Sequence, residues 1–108
     1  MQNGYTSASR ESAADIKNAA KEAASKVRGA TPASLLKTAR DQVQIARVSE
    51  RDGDFKASLS YYTKATALVA MCMDTTEFKQ EMHGKKGILT QEWLKFQQVR
   101  TIILTALS

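Results

Sequence analysis

The sequence predicts an all-α fold, a small antiparallel helical bundle, and three observations predict it. Ala, Lys, Leu, Gln and Glu are abundant, and these residues lose little freedom in a helix. Five Gly and one Pro in 108 residues leave long stretches without a break. The apolar residues recur at steps of three and four, the period of an amphipathic helix. A hydrophobic content of 43% and a charged content of 25% are those of a soluble globular chain, and this length suffices for one modest core.

The elements follow in order. Residues 1–30 read as an N-terminal extension with a loose polar tail and an Ala-rich helix over 9–28, ended by Gly29. Its stripe of Ala13, Ile16, Ala20, Ala23 and Val27 is narrow, so this helix is expected to dock loosely or on a partner. Lys17 is expected to lie away from any binding groove.

Residues 31–108 read as the bundle proper. Thr31 before Pro32 is a helix start: a capping hydroxyl, then Pro at the first helical position. Leu35, Leu36, Ala39, Val43 and Ala46, with Ile45 as a further candidate, give that helix its buried face as far as Arg51. In Asp52-Gly53-Asp54, Gly53 is free to take positive φ and Asp54 to cap the next helix. So short a loop forces two antiparallel helices into a hairpin.

The segment from Phe55 to Met73 carries two adjoining rows, Phe55, Leu59, Tyr62, Thr66, Val69, Met73 and Ser58, Tyr61, Ala65, Leu68, Cys72. Two rows on one helix require two neighbours. The expected neighbours are helices 31–51 and 90–107, with Ala57, Ala65 and Ala67 permitting close approach. Asp74 and Glu77 fit a capping box opening a short helix to about Met82. Gly84 and Gly87 then flank a flexible joint. A last helix from Thr90 to Leu107 puts Trp93, Phe96, Ile103 and Leu107 on one face.

Signs of catalysis are missing. His83 is the single histidine and stands beside a Gly, and one His builds neither a zinc site nor a Cys–His pair. "HGKKGIL" lacks the Gly spacing of a phosphate loop. Glu50, Asp52 and Asp54 resemble a fragment of a calcium loop without its downstream ligands. No catalytic residue, cofactor or metal is therefore expected, and the chain reads as a non-enzyme. The lone Cys72 on an apolar row suits a reducing compartment and a packing role. "MQNGYTSASRESAAD" has no signal-peptide core and Ile102-Ile103-Leu104 is too short to span a bilayer, so a cytoplasmic protein is expected. The net charge is +5. Its excess sits at the two ends, and in the C-terminal one Lys85, Lys86, Lys95 and Arg100 are a candidate basic face.

The stretch "TARDQVQIARVSERDGDFKASLSYYTKATALVAMCMDTTEFKQE" resembles the N-terminal dimerisation domain of endosomal ubiquitin-specific proteases, which is related to the microtubule-interacting-and-trafficking (MIT) domain. The likeness rests on "SERDGDF", on Ser58, Leu59, Tyr62 and Ala65, and on "EFKQE" from Glu77 to Glu81, and covers about residues 31–82. The resemblance implies a three-helix hairpin and an adaptor role. Such domains recruit or dimerise an endosomal trafficking factor by gripping amphipathic helices of ESCRT-III-type proteins. A protease domain, if the parent has one, lies outside this sequence. Tetratricopeptide repeats share the small-x-x-Tyr-x-x-Ala pattern, but here the unit occurs once, without the 34-residue period. A tetratricopeptide-like scaffold binding a peptide, and a basic module binding nucleic acid or anionic membrane, remain the alternatives. The expected partner groove lies between helices 55–73 and 90–107, bordered by Tyr61, Lys64, Leu68, Gln97 and Arg100. A homodimer is also expected from the resemblance.

Overall fold

A computed structural model describes residues 12–27, 30–84 and 87–107. Gly29, Lys85 and Lys86, together with the tail and helix start expected before Ser12, lie outside the described residues, as does the side chain of Leu107. All regular structure among the described residues is helical: α1 (Ala13–Ser25), α2 (Pro32–Arg51), α3 (Phe55–Met73), α4 (Thr76–Gly84) and α5 (Ile88–Leu107).

The starts are set by local chemistry. Ser12 and Asp15 form a reciprocal capping box on α1, with the Asp15 amide donating to the Ser12 hydroxyl at 3.1 Å. Thr31 accepts from the Ser34 amide at 3.1 Å, and Pro32 follows as the first helical residue. Gly53 takes φ +83°. Asp54 then accepts from the Ala57 amide at 3.1 Å to open α3, so the hairpin forms as its sequence dictates. The next start differs from expectation. Thr75, not Asp74, caps α4: its hydroxyl accepts from the Phe78 amide at 3.1 Å and donates to the Cys72 carbonyl at 2.7 Å. One hydroxyl thus satisfies the end of α3 and the start of α4, while Asp74 sits at the C-cap of α3.

The main core lies between α2 and α3. Leu35, Leu36, Ala39, Val43 and Ala46 meet Tyr62, Ala65, Leu68, Val69 and Cys72 in one buried cluster, while Ile45, the further candidate for this face, is 42% exposed. The axis of burial on α3 runs between the two expected rows. From the second row Ser58, Ala65, Leu68 and Cys72 are buried, but from the first only Tyr62 and Val69 are, and Phe55 is 70% exposed.

The other neighbours of α3 also differ from the hairpin-plus-closing-helix expectation. Helix α1 packs along α3 through Ile16, Ala20 and Ala24, while α5 packs chiefly on α2 and touches α3 less. Ala on one helix and Ala67 on the other let α1 come close with little side-chain bulk between. Helix α5 is pinned to α2 by the Arg40–Glu92 ion pair at 2.9 Å. Farther along, Arg47 and Glu50 share a hollow with Ile102 and Thr105. The two helices therefore run in the same direction, and α5 is antiparallel to α3.

Candidate functional site

Because α5 leans on α2, a groove stays open between α3 and α5. Thr66, Val69 and Met73 line one side, and Trp93, Phe96, Arg100, Ile103 and Leu104 line the other, around a cavity of about 230 Å³. Every lining side chain except Thr66 and Arg100 is apolar. Phe96 and Ile103 are buried and form the floor, Trp93 is half-buried, and Met73 and Leu104 are 43% and 58% exposed at the lips. The aromatic rings beside and beneath the groove pack on one another. Trp93 stacks on Phe96 with centroids 6.2 Å apart and meets the edge of Phe78 from α4 at 5.1 Å. Arg100 is exposed on the rim and makes no ion pair among the described residues.

The residues expected to border this groove are dispersed. Arg100 lines it. Gln97 is exposed on α5 but outside the lining. Tyr61 and Lys64 are half-buried and do not line it. Lys64, two residues before Thr66, projects from a different side of α3, because residues two apart do not face each other on a helix. Leu68 is a correction: it is 0% exposed in the α2–α3 core and cannot supply contact to a partner. The groove instead uses Thr66, Val69 and Met73 of the first row. The steps of three and four placed these three together, but the sequence does not say which row faces α2.

A second hollow of about 520 Å³ opens on the other side of the exposed stripe of α3. It is lined by Lys17 and Lys21 of α1 and by Thr63, Thr66, Ala67 and Ala70 of α3. Thr66 belongs to both hollows.

Against family models, curated proteins and solved structures the chain has no match. Among the described residues, no group of three His, Cys, Asp or Glu is placed to hold a metal, and no helix is long and apolar enough to cross a membrane. Burial pushes the Cys72 thiol up to about 11, which keeps it protonated and unreactive at neutral pH. The arrangement offers shape and apolar contact, with cations at its edges.

Proposed function

We propose that this chain is a non-catalytic interaction domain whose α3–α5 groove takes the apolar face of an amphipathic helix from a protein partner. One observation carries the reading: an aromatic-floored apolar groove with exposed Met73 and Leu104 at its lips. Its size favours side chains of a partner over a free small molecule, since a volume of about 230 Å³ is below the ~300–1,000 Å³ of drug-sized ligand pockets. A helix lays down two or three anchors at i, i+3/i+4 and i+7, and a long shallow groove suits that spacing. The resemblance of residues 31–82 to the dimerisation and MIT-type domains supplies the partner class: an ESCRT-III-type tail, bound by a factor that works at endosomes, such as a ubiquitin protease.

The test is a titration of a labelled ESCRT-III tail peptide into the whole chain. Binding at roughly micromolar strength is expected, because the contact is small and the partner orders on binding. Met73→Glu and Leu104→Glu alter exposed lips and should remove binding with circular dichroism unchanged. Normal binding by both folded variants would overturn the reading.

A second occupant is favoured by one separate observation. Leu94, Gln97, Thr101 and Leu104 form an exposed stripe on α5 at steps of three, four and three, with Leu94 59% exposed. That is coiled-coil spacing, suited to pairing two copies. Light scattering over a concentration series, with Leu94→Glu as the monomeric control, tests it.

A further inference from the structure

We infer that α1 forms the second wall of the binding site, so that the two hollows flanking Thr66 are halves of one channel over α3, shaped for a helix that carries carboxylates along both edges. This rests on the groove reading above and extends it to residues that the α3–α5 groove does not contain.

The α3 stripe between the two hollows comes from the helical period. Thr66, Ala70 and Met73 lie on one stripe of α3 by steps of four and three, and all three are exposed between α1 and α5. Helix α3 is covered by α2 on its core side, by α1 on one flank and by α5 on the other. The position over Thr66 is open. Small side chains at Thr63, Thr66, Ala67 and Ala70 let an incoming backbone come close on the α1 side. Met73, Trp93 and Phe96 offer larger apolar contact on the α5 side.

Charge selects the occupant. The ionisable residues lining the two hollows are Lys17 and Lys21 on the α1 wall and Arg100 on the α5 wall, with no carboxylate among them. None of the three makes an ion pair among the described residues. Lys17 and Lys21 are four apart, one helical turn, and so present two cations in a row along the channel. A helix lying over the α3 stripe would turn one edge to these lysines and the other to Arg100. Acidic side chains on both edges answer that pattern. A second copy of this chain fits it poorly, since its net charge of +5 repels.

Three 18-residue helical peptides test this on the whole chain, each with the same Leu stripe. One has Glu on both edges, one has Glu on one edge and Gln on the other, and one has Lys on both. The doubly acidic peptide is expected to bind best and the Lys peptide not at all. Lys17→Gln with Lys21→Gln should weaken the doubly acidic peptide about three- to tenfold, the effect of two partly exposed ion pairs. If Met73→Glu abolishes binding but the lysine variant binds like wild type, the α1 wall is wrong and the α3–α5 groove stands. If none of the peptides binds, both fall. Preference for phosphatidylserine vesicles over every peptide would give the cations to lipid and overturn the inference.

Discussion

The Tyr62 hydroxyl of α3 donates to the Glu50 carboxylate of α2 at 3.1 Å, joining the hairpin near its turn. Tyr62 is 1% exposed, the largest of the fully buried side chains, and its ring fills the core while its hydroxyl reaches the rim. Burial first, then the hydrogen bond and charge of Glu50, raise the phenol above its ordinary 10.0, against a smaller lowering by Arg47.

A pH prediction follows from that pair and from Cys72. Both groups have folded values raised above the unfolded ones, 9.0 to about 11 for the thiol and upward from 10.0 for the phenol. Each therefore contributes stability that is whole below its unfolded value and lost as pH rises toward the folded one. Urea melts should show stability falling from about pH 9 upward. Cys72→Ala should flatten the lower part of that fall and Tyr62→Phe the upper part. At pH 7, Tyr62→Phe should cost about 1.5–3 kcal/mol for a hydrogen bond to a charged group. An unchanged alkaline slope in the double variant would refute the assignment.

Leu68 and Leu59 separate the two rows of α3. Leu68→Ala should cost about 2–5 kcal/mol as a fully buried truncation, and Leu68→Asp should unfold the domain rather than merely block a partner. Leu59 is only half-buried, so Leu59→Ala should cost less than Leu68→Ala by at least about 1 kcal/mol. Equal losses in thermal melts would restore the first row to the core.

That contrast marks what the sequence could and could not tell. Caps and turns were legible because Thr31-Pro32 and Asp52-Gly53-Asp54 act within four residues. The α2 face was legible because a single stripe leaves no choice. On α3 two rows competed, and only the placement of α5 on α2 through Arg40 and Glu92, 52 residues apart, decides which row is left open. The role of α1 was hidden for a related reason. Of the expected stripe only Ile16 and Ala20 are buried, with Ala24 in place of the exposed Ala23, and the small side chains Ala20 and Ala24 are what let α1 lie close along α3. Thr75 took the cap expected of Asp74 because its hydroxyl serves two helix ends at once.

Gly87 should resist substitution. It holds φ +115°, and a Cβ there would stand 2.7 Å from the Glu81 carboxylate. That carboxylate accepts from the Thr90 amide in the first turn of α5, so the same oxygen caps the helix and crowds the joint. Gly87→Ala should cost about 1–3 kcal/mol from the backbone conformation and the displaced cap. Glu81→Gln, which keeps the shape and removes the charge at a helix N-terminus, should cost about 0.3–1 kcal/mol. Denaturant midpoints read both. A Gly87→Ala variant as stable as wild type would mean the joint adopts another path.

Helix α1 should be the first element to open. Ile16 is its one large buried side chain, beside Ala20 and Ala24. Full burial of Ile contributes about 1.5–3 kcal/mol, while ordering each residue of the 13 costs about 1–2 kcal/mol. Its backbone bonds and close fit against α3 thus leave a thin margin, and amides of α1 should exchange faster than those of residues 55–72. Ile16→Ala should erase the remaining protection in α1 and leave α2 and α3 protected. If α1 also walls the channel, a bound doubly acidic peptide should slow exchange in α1 as well as in α5, because a ligand that needs the docked helix stabilises it by mass action. Protection of α1 equal to that of α3 in the free protein would overturn the ranking. A peptide that slows α5 alone would detach α1 from the site.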